Sequence, residues 1–523
     1  MRQIRRNAWL LVLLSAVLQI LSFPLPGLYV LSWIALGPLV VAILHGRTPE
    51  TLQLNESRKL IPASPWQGFF LGYVCGVVWY VGTCYWVYDT MHEYGGLSAP
   101  IALFVLLLFA LYLGLYHGAF GLLLSLLARR DPDHRLPLIS APFLWVAIEL
   151  TRTRISGFPW DLLGITQVDN IPLTRIATVT GVYGLSFEIM LVNVAFAAAF
   201  LVPRNKRKTL LVASLAAAFL LQVGRWVTLP PLPADRTAIL LQQNLPVADT
   251  EPWTKDHFDS ILREFSADSL NPAPPPTQHP DLIVWPESPA PFWTNDPLFR
   301  DAISNLARQA QAWVVVGSIG VDNTKAVFNS AALVSPTGEW DGRYNKMHLV
   351  PFGEYVPFAS VFSFAGGLTQ AVGNFTHGTL RAPLQAGDKK LGIFICYESI
   401  FPDEIRQLVA QGAQVLVNIS NDGWYGDSGA WAQHLNQARM RAVENHRWLL
   451  RDTNTGLTAS IDPYGRVVAH LERKTRAALV APYALTNVTT FYSEHGDWFA
   501  YLCAIIATGA LITRFAFQPK TES

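Results

Sequence analysis

Apolar positions are spread unevenly along the chain. Up to about residue 228 they come in long runs, at 8–21, 28–44, 67–88, 98–127, 137–150, 178–202 and 209–228, and one more follows at 498–517. Most of these reach the roughly 20 residues that a helix needs to cross a bilayer. The run at 137–150 is short and contains Glu149. Between 229 and 497 the pattern changes to short apolar stretches bounded by turn residues and amphipathic segments. AILLQQNLP, DLIVWPES, AWVVVGSIG, VFNSAALVS, EWDGRYNK, LGIFI, QVLVNIS, GLTASI and RVVAHL read as strands. Helices are expected at about 254–269, 297–311, 400–411 and 430–447. Pro336-Thr337-Gly338 and the DPYG at 462–465 are hairpin turns. Strands alternate with helices early and hairpins are interleaved, which predicts an α/β domain with a mixed sheet; two sheets packed between helix layers would satisfy the pattern.

The expected organisation is a membrane domain over 1–228 with about seven helices, a globular domain over 229–497, and a last span with a short tail over 498–523. Arg2, Arg5 and Arg6 precede the first run, but SFPLPG follows it where a small-residue cleavage site would stand, so the run reads as a retained helix. Lys and Arg are concentrated on one side of the spans, at Arg2 to Arg6, Arg47 to Lys59, Arg129 to Arg135, Arg204 to Lys208, Arg514 and Lys520. The opposite side of the membrane block carries Arg152, Arg154 and Arg175. By the positive-inside rule both termini are cytoplasmic, eight spans satisfy the parity, and 229–497 lies outside the cytoplasm.

Composition supports a polytopic membrane protein. The 523 residues are 51% hydrophobic and 15% charged, with mean hydropathy +0.26. A net charge of +1 gives no basic surface for nucleic acid. Of the four cysteines, Cys75, Cys84 and Cys503 lie in apolar runs. Cys396 stands apart, with no disulfide partner and no zinc-like spacing around it. An unpaired thiol outside the cytoplasm is a candidate reactive group.

Three residues interrupt the apolar pattern at strand ends: Glu287 after LIVW, Lys346 after EWDGRYN and Cys396 after LGIFI. Strand ends are where open α/β sheets build their sites. A cysteine nucleophile needs a base for its proton, and a shielded carboxylate can serve. A lysine beside both would stabilise the thiolate and the oxyanion of a tetrahedral intermediate, with the backbone N–H of Tyr397 as a second donor. Glu354 and Glu398 are further carboxylates that orient Lys346 or complete the site.

WPES, KMHLVPFGEY and ICYE resemble the Glu–Lys–Cys signatures of the nitrilase, or carbon–nitrogen hydrolase, superfamily. With a multi-span block before the domain and one span after it, the whole chain resembles the bacterial apolipoprotein N-acyltransferase family. The resemblance implies an α-β-β-α nitrilase-like domain on the periplasmic side of the inner membrane. It also implies Glu287 as general base, Lys346 as oxyanion stabiliser and Cys396 as nucleophile. Glu354 matches a further essential glutamate of the family, and Tyr397 and Glu398 match the residues beside its cysteine. The implied reaction moves a fatty acyl chain from a phospholipid to the free amine of the diacylglyceryl-cysteine that begins an apolipoprotein. It would proceed through a thioester on Cys396, without metal or cofactor, and a monomer is expected to suffice.

Burying an acyl chain is worth about 0.8 kcal/mol per CH₂, so lifting sixteen carbons into water costs on the order of 12 kcal/mol. A site for such substrates must open onto the bilayer. PFASVFSFAGGLTQAVGNF is apolar for a connection, so Phe358 and Phe362, with Trp253, Trp424, Tyr425 and Trp431, are expected to form a lipid-facing lid or acyl groove. The same triad would also serve a membrane-anchored amidase, because water can resolve a thioester as an amine does. Intact Glu287, Lys346 and Cys396 speak against a degenerate domain used only for binding.

Overall fold

The computed structural model describes residues 4–47, 61–129, 135–202, 204–247, 253–287, 290–355 and 375–516. The chain divides into two units, Met1–Tyr88 with Ser98–Val227 and Asp497–Ser523, and Asp89–Leu97 with Thr228–Gly496.

The first unit is helical. Among the described residues three helices are long and apolar enough to cross a membrane: Ala99–Ala128, Val182–Leu201 and Lys206–Trp226. The pair Pro65–Thr83 and Trp86–Tyr94, bent by 53°, makes a fourth if it is one span, and Arg6–Ser22, Tyr29–Leu44 and Trp498–Arg514 are shorter apolar helices. The run expected at 137–150 is the helix Arg135–Thr151, which contains Pro142 and the buried Glu149. Only 28% of the most apolar stretch of Ala99–Ala128 is buried, so this helix presents a wide apolar face to its surroundings.

Small residues bring two of these helices together. Gly68, Gly72 and Gly76 face Gly114, Gly118 and Gly121, and a Cβ on Gly72 would lie 2.1 Å from the His117 carbonyl oxygen. Small residues at four-residue spacing let backbones approach where lipid gives helices no hydrophobic reason to associate. Arg152 and Arg154, two of the three arginines between the fifth and sixth runs, are engaged within this unit. Arg154 pairs with Asp497 at 2.6 Å, and Arg152 donates to Tyr80 Oη at 2.5 Å and lies over the Trp79 ring.

Among the described residues the second unit holds twelve strands: β1 (Arg236–Gln242), β2 (Leu282–Trp285), β3 (Trp313–Val321), β4 (Val327–Val334), β5 (Trp340–Asn345), β6 (Leu384–Ala386), β7 (Lys389–Ile395), β8 (Val415–Ser420), β9 (Leu449–Thr453), β10 (Ala459–Ile461), β11 (Val467–His470) and β12 (Ala477–Tyr483). They form two six-stranded sheets, ordered β12-β1-β2-β3-β4-β5 and β11-β10-β9-β8-β7-β6. The central strands β1-β2-β3 and β7-β8-β9 are parallel and covered on both faces, which is why they read as unbroken apolar runs. The edges are antiparallel.

The inner faces of the sheets meet in one core that includes Leu240, Val284, Leu333, Ile393, Ile395 and Val417. Helices Lys255–Leu270 and Pro297–Ala310 cover the outside of the first sheet, and Pro402–Ala410 and Ala430–Asn445 cover the second. Lys255–Leu270 buries Phe258, Ile261, Leu262 and Phe265, a single stripe at helical spacing, and is capped by Thr254 accepting from the His257 N–H. The unit is therefore an α-β-β-α sandwich. Three of its strands, β6, β9 and β12, lie where the pattern predicts none.

Candidate active site

The three polar strand ends converge. Glu287 stands two residues past β2, Lys346 directly follows β5 and Cys396 directly follows β7. Glu287 and Lys346 thus come from the first sheet and Cys396 from the second. Lys346 is 1% exposed, and its Nζ lies 3.2 Å from Glu287 Oε1 and 3.0 Å from Glu354 Oε1. Asn329 on β4 donates to the same two oxygens, at 2.7 and 2.6 Å. Each carboxylate is then fixed by a backbone donor: Asn421 N–H to Glu287 Oε2 at 2.9 Å, and Val350 N–H to Glu354 Oε2 at 2.7 Å.

Burial alone would pull the Lys346 ammonium down, but Glu287 and Glu354 outweigh it and hold the group well above its ordinary value. Lys346 is therefore a fixed cation, suited to an oxyanion and unsuited to be a base.

Cys396 opens a short turn, Cys396–Ile400, that leads into the helix Pro402–Ala410. Its φ is +49°, a left-handed backbone for a residue with a Cβ, which costs about 1–3 kcal/mol where the surroundings enforce it. Cys396 is 7% exposed and packs onto the inter-sheet core. Burial pushes its thiol well above the ordinary value, Glu287 adds to that, and Lys346 and Ser420 pull the other way. The sulfur thus rests as a thiol beside a cation and a carboxylate. That arrangement can hold a proton until a carbonyl carbon is presented, and Glu287 can then take it.

Glu398 is a clamp rather than a free carboxylate of the site. Oε1 accepts from Tyr344 Oη at 2.8 Å and from the backbone N–H groups of Met347 and His348 at 2.8 and 3.2 Å, and Oε2 accepts from the Ile395 N–H at 2.7 Å. It ties the turn after Lys346 to the turn that carries Cys396. Burial pushes its carboxyl up, while these donors favour the charged form.

The aromatic residues expected in one groove are dispersed over the unit. Trp253 packs half-buried on the core under Lys255–Leu270, and Trp431 packs on the core outside the second sheet with Arg473 over its ring at 4.6 Å. Tyr425 is buried, and burial and then Cys396 push its hydroxyl up, whereas Trp424 is 44% exposed and meets the Tyr94 ring edge-on at 5.8 Å. Phe358 and Phe362 lie outside the described residues. Phe352, just before them, is 38% exposed with a left-handed φ of +60°. Tyr397 is buried, with its ring 5.7 Å from that of His348.

Sequence reasoning missed Asn329, His434 and Arg451; the last two form a buried cluster with Asp422. His434 Nδ1 is 3.0 Å from Asp422 Oδ1, and Arg451 Nη2 donates to Asp422 Oδ2 at 2.7 Å. The signal for Asn329 was one amide inside an apolar strand. Arg441, on the helix Ala430–Asn445, and Arg447, just beyond it, are each 1% exposed; Arg441 pairs with Glu444 at 2.9 Å and Arg447 donates to backbone carbonyls. Among the described residues no group of three or more His, Cys, Asp and Glu is placed to hold a metal ion.

Comparison with known proteins agrees with this division. Residues 261–491 match the carbon–nitrogen hydrolase family, and residues 15–195 match the apolipoprotein N-acyltransferase N-terminal domain. Proteins named apolipoprotein N-acyltransferase are similar along most of the chain. The one from Geobacter metallireducens is 36% identical over 99% of this chain and 97% of its own. That from Methylococcus capsulatus is 34% identical over 86% and 88%, and that from Pseudomonas aeruginosa 31% over 86% and 87%. A carbon–nitrogen hydrolase structure from Helicobacter pylori covers 47% of this chain and 88% of its own at 18% identity, with TM-score 0.35. With its sandwich, its helical unit and its length all matched, the chain belongs to the apolipoprotein N-acyltransferase family.

Proposed function

We propose that this acyltransferase moves a fatty acyl chain from a membrane phospholipid to the free α-amine of the diacylglyceryl-cysteine at the start of an apolipoprotein, with the chain carried on Cys396 as a thioester. The supporting observation is one buried ammonium, Lys346, held between Glu287 and Glu354 in the same field as the Cys396 thiol. Glu287 takes the thiol proton as sulfur attacks the ester carbonyl. The oxyanion faces the Lys346 ammonium and the Tyr397 N–H. The intermediate collapses by expelling the lysophospholipid alkoxide, which recovers the proton from Glu287. The amine then attacks the thioester and its proton passes through Glu287 to the departing sulfur. Thioester to amide is downhill, so no other energy source is required.

The test is to incubate detergent-purified protein with phospholipid carrying a labelled acyl chain and no acceptor. Label that neutral hydroxylamine releases should appear on wild type and be absent from Cys396→Ala and Glu287→Gln. Adding a diacylated peptide with a free amine should discharge it as amide. No label on wild type, with the donor verified as accessible, would favour the amidase reading.

For topology we propose eight spans in the inner membrane, both termini cytoplasmic and the sandwich on the periplasmic side. The support is the distribution of Lys and Arg along the helical unit. Alkaline phosphatase fused after residue 228 should be active and the same enzyme fused at the C-terminus inactive; the reverse pattern would overturn this orientation.

We also assign the apolar segment after Phe352, with Phe358 and Phe362, to a lipid-facing lid. Its support is an exposed Phe352 at the start of an apolar connection in a site whose substrates carry long chains. Phe358→Asp with Phe362→Asp should lower transfer from phospholipid at least about tenfold, since each buried aromatic contributes roughly 1.5–3 kcal/mol. Unchanged transfer by a folded double variant would sink the lid.

A further inference from the structure

The carbonyl oxygen of Cys396 is held from behind. On helix Ala430–Asn445, His434 Nε2 lies 3.1 Å from that oxygen and 2.7 Å from Ser399 Oγ. A carbonyl only accepts, so Nε2 carries the proton. The other nitrogen, Nδ1, lies 3.1 Å from Arg451 Nη2 and 3.0 Å from Asp422 Oδ1. Burial pulls the imidazole below its ordinary value against the pull of Asp422. With Nε2 donating to the carbonyl, Nδ1 faces Asp422 Oδ1 and Arg451 Nη2 together: it donates to the carboxylate when the ring is charged and accepts from the guanidinium when it is neutral. Arg451 in turn is fixed by Asp422 and by Asn418, and Asp422 also accepts from Ser420 Oγ at 2.8 Å. Imidazole, carboxylate and guanidinium are all at most 1% exposed, so the ring has little freedom to turn.

This matters because of what else belongs to that peptide unit. The carbonyl of Cys396 and the N–H of Tyr397 share one planar group, and the Cys396–Tyr397 bond is trans. In a trans peptide the two point in opposite directions, so fixing the oxygen fixes the direction of the N–H. The left-handed φ of Cys396 makes the anchor necessary, since the peptide plane of a strained residue can relax by rotating.

We propose that His434 is a positioning residue for acyl transfer: by donating to the Cys396 carbonyl it turns the Tyr397 N–H toward the oxyanion. Asp422 and Arg451 serve to hold the ring in that orientation. The proposal rests on the thioester reading above.

The experiment compares His434→Phe, which keeps the ring volume without the donor, with His434→Gln, whose amide nitrogen replaces Nε2–H. Two rates are read on each. One is thioester formation from labelled phospholipid at saturating donor. The other is alkylation of Cys396 by iodoacetamide, a displacement that develops no oxyanion. With His434→Phe, thioester formation should fall on the order of 100-fold, the scale of losing one oxyanion donor. Alkylation and the half-saturating donor concentration should stay within about twofold, and His434→Gln should recover at least about tenfold of the loss.

Thioester formation at the wild-type rate in His434→Phe would overturn the proposal. So would a parallel fall in alkylation, or a glutamine variant no better than phenylalanine. If the phenylalanine variant fails to fold, His434→Asn, one bond too short to reach the carbonyl, takes its place. A wild type that transfers acyl chains without a detectable thioester would overturn the thioester reading alone, and the same comparison would then be made on kcat for transfer.

Discussion

Lys346→Met is expected to lose at least about 1,000-fold in acyl transfer and to lower the unfolding temperature as well. The catalytic part follows from removing a fixed cation from the place where negative charge develops, a loss of about 100- to 1,000-fold for a single neutral donor and more for a charged one. The stability part has a separate origin. Glu287 and Glu354 are nearly enclosed and both touch this ammonium. Removing one partner of a buried ion pair costs about 3–5 kcal/mol, because the charge left behind is uncompensated. Asn329 reaches both carboxylates but carries no charge. The two parts separate in the double variant Lys346→Met with Glu354→Gln, which should regain thermal stability and no activity. Transfer assays and thermal scans in detergent read both. A Lys346→Met enzyme with a tenth or more of wild-type turnover would remove Lys346 from the chemistry.

The second large effect is expected at a residue that does no chemistry. Glu398→Ala orphans four donors at once, the Tyr344 hydroxyl and the N–H groups of Ile395, Met347 and His348. Each buried unpaired donor costs roughly 1–3 kcal/mol, and four of them, only partly relieved by water, approach the 5–15 kcal/mol by which a typical domain is stable. Little folded protein should be recovered from membranes. Glu398→Gln keeps an oxygen for one side of the clamp but turns an NH₂ group toward N–H or O–H donors on the other. It should fold with a lowered unfolding temperature and with acyl transfer reduced, since the clamp sets Cys396 against Lys346. Monodisperse yield and melting temperature measure the effect. Wild-type yield from Glu398→Ala would show that the four donors find other partners.

Lys346 follows the polar EWDGRYN and was legible through the resemblance carried by KMHLVPFGEY; Glu287 and Cys396 were legible because each closely follows an apolar strand, LIVW or LGIFI. The helices flanking the sheets were legible for the same kind of reason, since Phe258, Ile261, Leu262 and Phe265 recur at the helical period. What escaped was whatever depends on partners distant in sequence. Strand β12, AALVAPY, contains Pro482 and would be rejected as a central strand. It sits at the edge, antiparallel to β1 with Pro482 opposite Thr237, where a missing N–H does no harm. His434 lies in QHLNQAR, a polar stretch that reads as a solvated helix face, yet it is fully buried, because Asp422 and Arg451 satisfy it from two other elements. Glu398 was expected to orient Lys346 or complete the site, and what it holds is the turn after Lys346. Cys396 is near it in sequence, but its partners are the Tyr344 hydroxyl and three backbone N–H groups, whose positions only the fold supplies.

Glu287 and Lys346 stand on one sheet and Cys396 on the other, so the transfer proposed above keeps its groups in register only while the two sheets keep their spacing. The enzyme in effect gauges its own integrity. A shift of the sheets by an ångström, too small to expose the core or to register as unfolding, separates sulfur from its proton acceptor. Heating or a bulkier side chain between the sheets would therefore silence the protein while it still looks intact, and loss of turnover would be the first sign of damage.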